Sequence, residues 1–193
     1  MESNTKTSLV KLGAFNTNGF DRGASKFKEI AWYLSKMLFF LTALPFPSSF
    51  KCAMLRLFGA RIGTGVIIKP RINIHFPWKL SIGNDVWLGE EVFVLNFEEV
   101  SIGNNVCVSQ RVFLCGGNHD YRVPDMAYRN DKIILKDGCW VGAGAFVGPG
   151  SIIGIDTVVS ASSVVSGVLA GNGIYKGNPA VFIKPRWPVV VAQ

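Results

Sequence analysis

Histidine is nearly absent from this chain, with only His75 and His119 among 193 residues. A zinc site built on three histidine ligands therefore has too few of them, and no metal is expected. None of the four cysteines, Cys52, Cys107, Cys115 and Cys139, forms a CxxC pair, and the N-terminus shows no signal-peptide pattern. The expectation is reduced, buried thiols in a cytoplasmic protein. Lysine and arginine form no run and no zinc-finger or RNA-binding signature accompanies them, which argues against nucleic acid. A clean apolar run long enough to span a bilayer is also missing. The segment 30–47 is strongly apolar, but Lys36 interrupts it and Pro45 and Pro47 end it, short of the roughly 20 residues a spanning helix needs. It reads as a core or interface helix. Lys26, Lys28, Lys36 and Lys51 lie close to this apolar surface, so peripheral contact at the inner membrane face is a further expectation.

What is present is apolar and glycine-rich. Apolar residues make up 49% of the chain and charged residues 17%, a folded rather than a disordered composition. The length suits one well-cored domain with a small appendage. The net charge of +7 favours an anionic partner, and without nucleic-acid signatures a phosphorylated small molecule fits best. Residues 1–60 read as an irregular arm followed by two helices. The first lies within 24–43, with Ser25 as cap and Phe27, Ile30, Ala31, Leu34, Met37 and Leu38 as its apolar stripe. The second runs from about Ser49 to Phe58 and stops at Gly59.

From Ile62 the period changes to six. Ile82, Leu88 and Val94 form one run, and Ile102, Val108 and Leu114 a second after a two-residue slip at 96–99. Leu135, Val141, Val147, Ile153, Val159 and Val165 form a third. Glycine follows directly at 83, 89, 103, 142, 148 and 154. Each six-residue unit supplies one short strand and one corner of a triangular coil, with the aliphatic residue turned inward on its counterparts above and below. One unit cannot bury its own face, so the units must stack. The coil is expected over 61–172, with a tail over 173–193. Residues 115–133 break the register with a long polar loop, after which the period resumes. A loop ejected from a rigid coil is a natural functional site.

The ordered segments FDRG (20–23), LRLFGARIG (55–63), FPWKLSIGNDVWLGE (76–90), IGNNVCVSQ (102–110), LCGGNHDY (114–121), FVGPG (146–150) and GNPA (177–180) resemble those of the hexapeptide-repeat acyltransferases. The similarity is to the O-acetyltransferases of the colanic-acid biosynthesis type, near the maltose and galactoside enzymes, and it covers almost the whole chain. It implies a mainly β fold, a left-handed parallel β-helix with an N-terminal helical segment and an ejected catalytic loop. It further implies a homotrimer that binds acetyl-CoA between neighbouring subunits. The family's catalytic histidine matches His119. Its acceptor-side acid falls on Asn96, a departure that removes the charge. The family's cofactor-side positions match Trp140, Ala143, Ala161, Ser166 and Lys184. A second basic position falls on Val181, leaving Lys176 or Arg186 to substitute.

Acyl transfer from a thioester to an alcohol needs a base for the hydroxyl proton, donors for the oxyanion and two aligned substrates. His119 in the ejected loop is the candidate base, oriented by Asp120 or by a backbone carbonyl. The oxyanion donor is expected among backbone N–H groups near Gly142 and Ala143. Asp21 and Arg22 are candidates for the acceptor side, or form a turn before the first helix. Gly177-Asn178-Pro179 either ends the coil or shapes the cofactor pocket. His75 reads as packing. Three competing readings stand beside O-acetylation of a saccharide: N-acetylation of an amino sugar, a Cys115 nucleophile served by His119, and a non-catalytic solenoid.

Overall fold

The computed structural model describes residues 8–17 and 19–188. The fold is a left-handed parallel β-helix preceded by two helices. Three parallel sheets form its sides. The first stacks the strands Arg61–Ile62, Leu80–Ile82, Val100–Ile102, Ile133–Leu135, Ile152–Ile153 and Val168–Leu169. The second stacks Ile67–Ile68, Trp87–Leu88, Cys107–Val108, Trp140–Val141, Val158–Val159 and Gly173–Lys176, and the antiparallel strand Val181–Pro185 closes it. The third stacks Asn73–Ile74, Phe93–Leu95, Phe113–Cys115, Phe146–Val147 and Val164–Val165. Gly173–Lys176 pairs in parallel with Val158–Val159, so the coil continues a few residues beyond 172.

The six-residue period appears as ladders of buried aliphatic residues. Ile82, Ile102, Leu135 and Ile153 stack inside the first side, and Leu88, Val108, Val141 and Val159 inside the second. Close stacking explains the glycines that follow them. A Cβ at Gly142 would lie 2.6 Å from the Ala161 nitrogen, and one at Gly154 2.4 Å from the Gly171 nitrogen. The corners need left-handed backbone, and Asp85, Asn105, Asp156 and Asn172 supply it with φ of 55–56°. In the upper coils Ser151, Thr157 and Ser163 replace apolar corner residues and are buried. Their hydroxyls engage the backbone, as in the 2.8 Å bond that Thr157 Oγ1 donates to the Ala170 carbonyl.

The slip at 96–99 is not isolated. Ile62 pairs with Ile82 and Ile82 with Ile102, so both lower coils take 20 residues, and the extra pair recurs at 76–79, where Pro77–Lys79 forms a short 3-10 turn. Leu135 pairs with Ile153, so the next complete coil takes 18.

Helix α1 (Lys26–Phe39) and helix α2 (Ser48–Leu57) cover the lower end of the coil. Ser25 caps α1, its side chain accepting from the Lys28 N–H. The apolar stripe of α1 faces away from the coil, as the interface reading of this helix has it. Phe27 is 83% exposed, and Ile30, Leu34, Met37 and Leu38 are exposed with it, while Trp32 and Lys36 are buried. The reason is in the packing: Trp32 stacks edge-on against Phe40 and donates its indole N–H to the Ile74 carbonyl. That fixes the opposite side of the helix against the coil.

Candidate active site

The loop leaves the third side after Phe113–Cys115 and rejoins the first at Ile133–Leu135. It folds back on itself through a bridge between His119 and Tyr128, with Asp120 N–H donating to Ala127 O and Arg129 N–H to Asn118 O. This small hairpin aims the His119 ring. His119 Nδ1 lies 2.5 Å from the Met126 carbonyl oxygen. A carbonyl only accepts, so Nδ1 carries a proton, and in the neutral ring Nε2 is the nitrogen with the lone pair. Met126 adopts φ 54°, a left-handed conformation uncommon for such a side chain, to present that carbonyl.

Asp120 is not the orienting group. Arg122 grips both its oxygens, at 2.7 and 2.6 Å, and holds the carboxyl down to about 2. Cys115 is no better placed as a nucleophile. Its thiol is buried, donates to Gly117 O, and is pushed up by burial, which keeps it protonated.

An aromatic wall flanks the histidine. Phe15 meets His119 edge-on at 5.4 Å and Tyr128 lies 5.1 Å away. Tyr128 in turn touches Phe20 and Phe97. The arm before α1 thus forms part of the site, anchored by the Lys11 N–H to Pro124 O bond. In the sequence this arm is merely irregular, because only the folded loop gives Phe15 and Phe20 something to pack on. Beside the wall is a cleft of about 290 Å³ lined by Phe20, Glu98, Tyr128, Arg129 and Asn130, among others. Its mix of aromatic faces and polar groups suits a polyhydroxylated ligand.

Four expected site residues are occupied elsewhere. Asn96 is 0% exposed, and its amide accepts from Phe76 N–H at 2.8 Å and donates to Phe76 O at 2.6 Å. It ties one coil to the next and offers no polar atom to an acceptor. Arg22 is locked to Glu29 at 2.6 Å over the Phe76 ring, and Asp21 accepts from Gly23 N–H in a tight turn. Arg186 donates to the carbonyls of Gly138 and Asp156, holding the tail against the coil rather than facing a phosphate. His75 packs between Phe76 and Phe97, and burial pushes its imidazole down to about 4.

The cofactor-side positions lie on a different part of the coil. Trp140 is 47% exposed on the second side, its indole N–H donating to Ser109 Oγ. Val158, Ile174 and Lys184 follow it outward along the same ladder, three strand spacings or about 14 Å from end to end. Ala143 and Ala161 are exposed one above the other at the corner between the second and third sides. Gly142 N–H donates to Val159 O and Gly144 N–H to Gln110 O. Among the described residues the Ala143 N–H has no partner, leaving it the available donor of that segment. Ser166 is exposed at the next corner, the one from which the His119 loop departs a coil pair earlier. One six-residue side, at most about 20 Å of chain, separates the His119 corner from the Ala143 corner.

No family model matches the chain. The colanic acid biosynthesis acetyltransferase WcaF of Escherichia coli strain K12 is 35% identical over 133 residues, 69% of this chain and 73% of that protein. The chain belongs to this acetyltransferase family. A hexapeptide-repeat acetyltransferase of Vibrio cholerae, solved with acetyl-CoA, superposes with a TM-score of 0.76 at 20% identity, covering 89% of this chain and 94% of that one. A galactoside acetyltransferase in complex with coenzyme A gives 0.72 at 18% identity, with 82% and 80% covered. At these identities the two structures speak for the fold, and the WcaF relationship carries the family. Among the described residues no cluster of three or more His, Cys, Asp or Glu is placed to hold a metal.

Proposed function

We propose that this acetyltransferase moves the acetyl group of acetyl-CoA directly to a hydroxyl of a saccharide intermediate in cell-surface polysaccharide biosynthesis, with His119 as general base. The observation that carries the reading is the Nδ1–H···O bond to Met126, which leaves Nε2 as a free acceptor in an exposed ring. As the sugar oxygen attacks the thioester carbonyl carbon, Nε2 takes the hydroxyl proton. The carbon–sulfur bond then breaks, and the proton passes to the departing thiolate. The acceptor occupies the cleft beside Tyr128, with Glu98, Arg129 and Asn130 supplying the polar contacts that the buried Asn96 does not. On the cofactor side Trp140, Ala143, Ala161 and Ser166 line the pantetheine path. The exposed ammonium groups of Lys176 and Lys184 meet the adenosine phosphates.

The working assembly is a homotrimer. The separation of His119 from Ala143 on one chain supports a site completed by a neighbour, and closed cyclic symmetry avoids open filaments. The enzyme works at the membrane surface. No described helix is long and apolar enough to cross a membrane, and the outward stripe of α1 is the surface that would make the contact.

Release of free CoA thiol, followed across free sugars, nucleotide sugars, amino sugars and lipid-linked saccharides, tests the reading. Turnover on a hydroxyl acceptor is expected to exceed turnover on its amino counterpart. The reverse order would make the enzyme an N-acetyltransferase, and thiol release with no acceptor in the panel would remove the saccharide.

A further inference from the structure

Helix α1 is built inside out. Phe27, Ile30, Tyr33, Leu34, Met37 and Leu38 point to solvent, while Lys36 is turned inward and is 7% exposed. Removing an ammonium from water without a partner is costly. Yet among the described residues Lys36 meets no carboxylate and no carbonyl, only the face of Tyr33 at 5.8 Å. Its burial pulls its pKa below the usual lysine range.

Lys36 lines a cavity of about 270 Å³ together with Arg22, Glu29, His75, Trp78 and Tyr33. Glu29, the cavity's one acid, is held by Arg22 at 2.6 Å, so the ammonium remains the uncompensated charge of the wall. Ile30 and Tyr33 belong both to this cavity and to the exposed stripe. The cation therefore opens at the edge of an apolar surface. Helix α1 carries Lys26, Lys28 and Lys36 against the single acid Glu29, whereas Lys51 and Arg56 beyond it are held by backbone carbonyls. An anion with a hydrocarbon attached matches both halves of this surface, whereas a free anion leaves the stripe unexplained. A second copy of the chain would bring like charges together.

We propose that α1 lies along a membrane surface with its outward stripe among the acyl chains, and that the Lys36 cavity takes the phosphate of an anionic lipid. The proposal rests on the membrane-surface part of the function above and is independent of the acyl-transfer chemistry.

Co-sedimentation with vesicles separates the parts. The full chain is expected to bind phosphatidylglycerol-containing vesicles more tightly than pure phosphatidylcholine ones. Lys36→Met, of similar length and uncharged, should lower that preference by about fivefold, the worth of one lysine at an anionic surface. It should leave Tm near that of the parent, because Lys36 makes no hydrogen bond or ion pair among the described residues. Leu34→Glu should abolish binding to both vesicles. If Lys36→Met keeps the full preference, the cavity is not the phosphate site, even if Leu34→Glu confirms the helix contact. If Leu34→Glu binds as the parent does, or changes the oligomer mass in light scattering, the stripe does not face lipid. If glycerol phosphate or inorganic phosphate binds as tightly as vesicles, the ligand is a free anion and the lipid assignment falls. Thiol release with a soluble acceptor reads the acyl-transfer reaction separately from all of these.

Discussion

At the residue scale, the decisive feature is a histidine whose tautomer is chosen by a backbone carbonyl rather than by a carboxylate. His119→Ala should lower kcat by about 10²–10⁴-fold, the usual worth of a general base, while acetyl-CoA binding persists because the coil is untouched. Asp120→Asn should cost less than about tenfold, since that carboxylate is engaged by Arg122 and not by the ring. Stopped-assay kcat values for the two variants decide it, and a larger loss in Asp120→Asn would return the orienting role to the carboxylate. His75 carries a different prediction. Its imidazole is held down to about 4 in the fold against an ordinary value near 6.5, so the unfolded chain binds more protons between those values. Stability is therefore full above about pH 6.5 and falls as the pH drops toward 4. Tm measured across that window should decline, and His75→Phe should flatten the decline.

At the scale of elements, the coil is a stack of short strands whose spacing leaves no room for a side chain at chosen points. Gly142 is one of them. An added methyl would lie 2.6 Å from the Ala161 backbone nitrogen, and only separation of the coils relieves it. Gly142→Ala should destabilise by about 1–3 kcal/mol, the cost of overpacking. It should also disturb acetyl-CoA binding, because Ala143 and Ala161 flank the same contact. Denaturant unfolding together with the KM for acetyl-CoA tests this, and an unchanged midpoint would show that the corner yields freely. The lower coils differ in kind. Their two extra residues fall at 76–79 and 96–99, and the Asn96 amide, bonded on both sides to Phe76, ties the upper insertion to the lower.

At the scale of the molecule, one chain holds the proposed base and the proposed cofactor channel apart. His119 stands at one corner and Ala143 with Ala161 at another. In a trimer whose sites are shared, mixing equal amounts of dissociated His119→Ala and Ala161→Trp subunits and reassembling them should restore about a quarter of wild-type activity, from interfaces that pair the intact halves of each. A site formed within one chain would give no recovery.

The sequence by itself determined the coil, its corners and the place of the loop. These are local properties: a six-residue period, a glycine where coils touch, and a register that breaks once at length and then resumes. It also pointed to His119, since a histidine in that interruption has few structural reasons to be there. Only the tertiary structure decided what His119 bonds to, because the Met126 carbonyl reaches it through the loop's own hairpin. It likewise decided which side of α1 meets the coil. Helical spacing marks an apolar stripe on Phe27, Ile30, Leu34, Met37 and Leu38, but Trp32 and Phe40 offer a competing contact. Their packing beneath the coil leaves the stripe to solvent and buries Lys36.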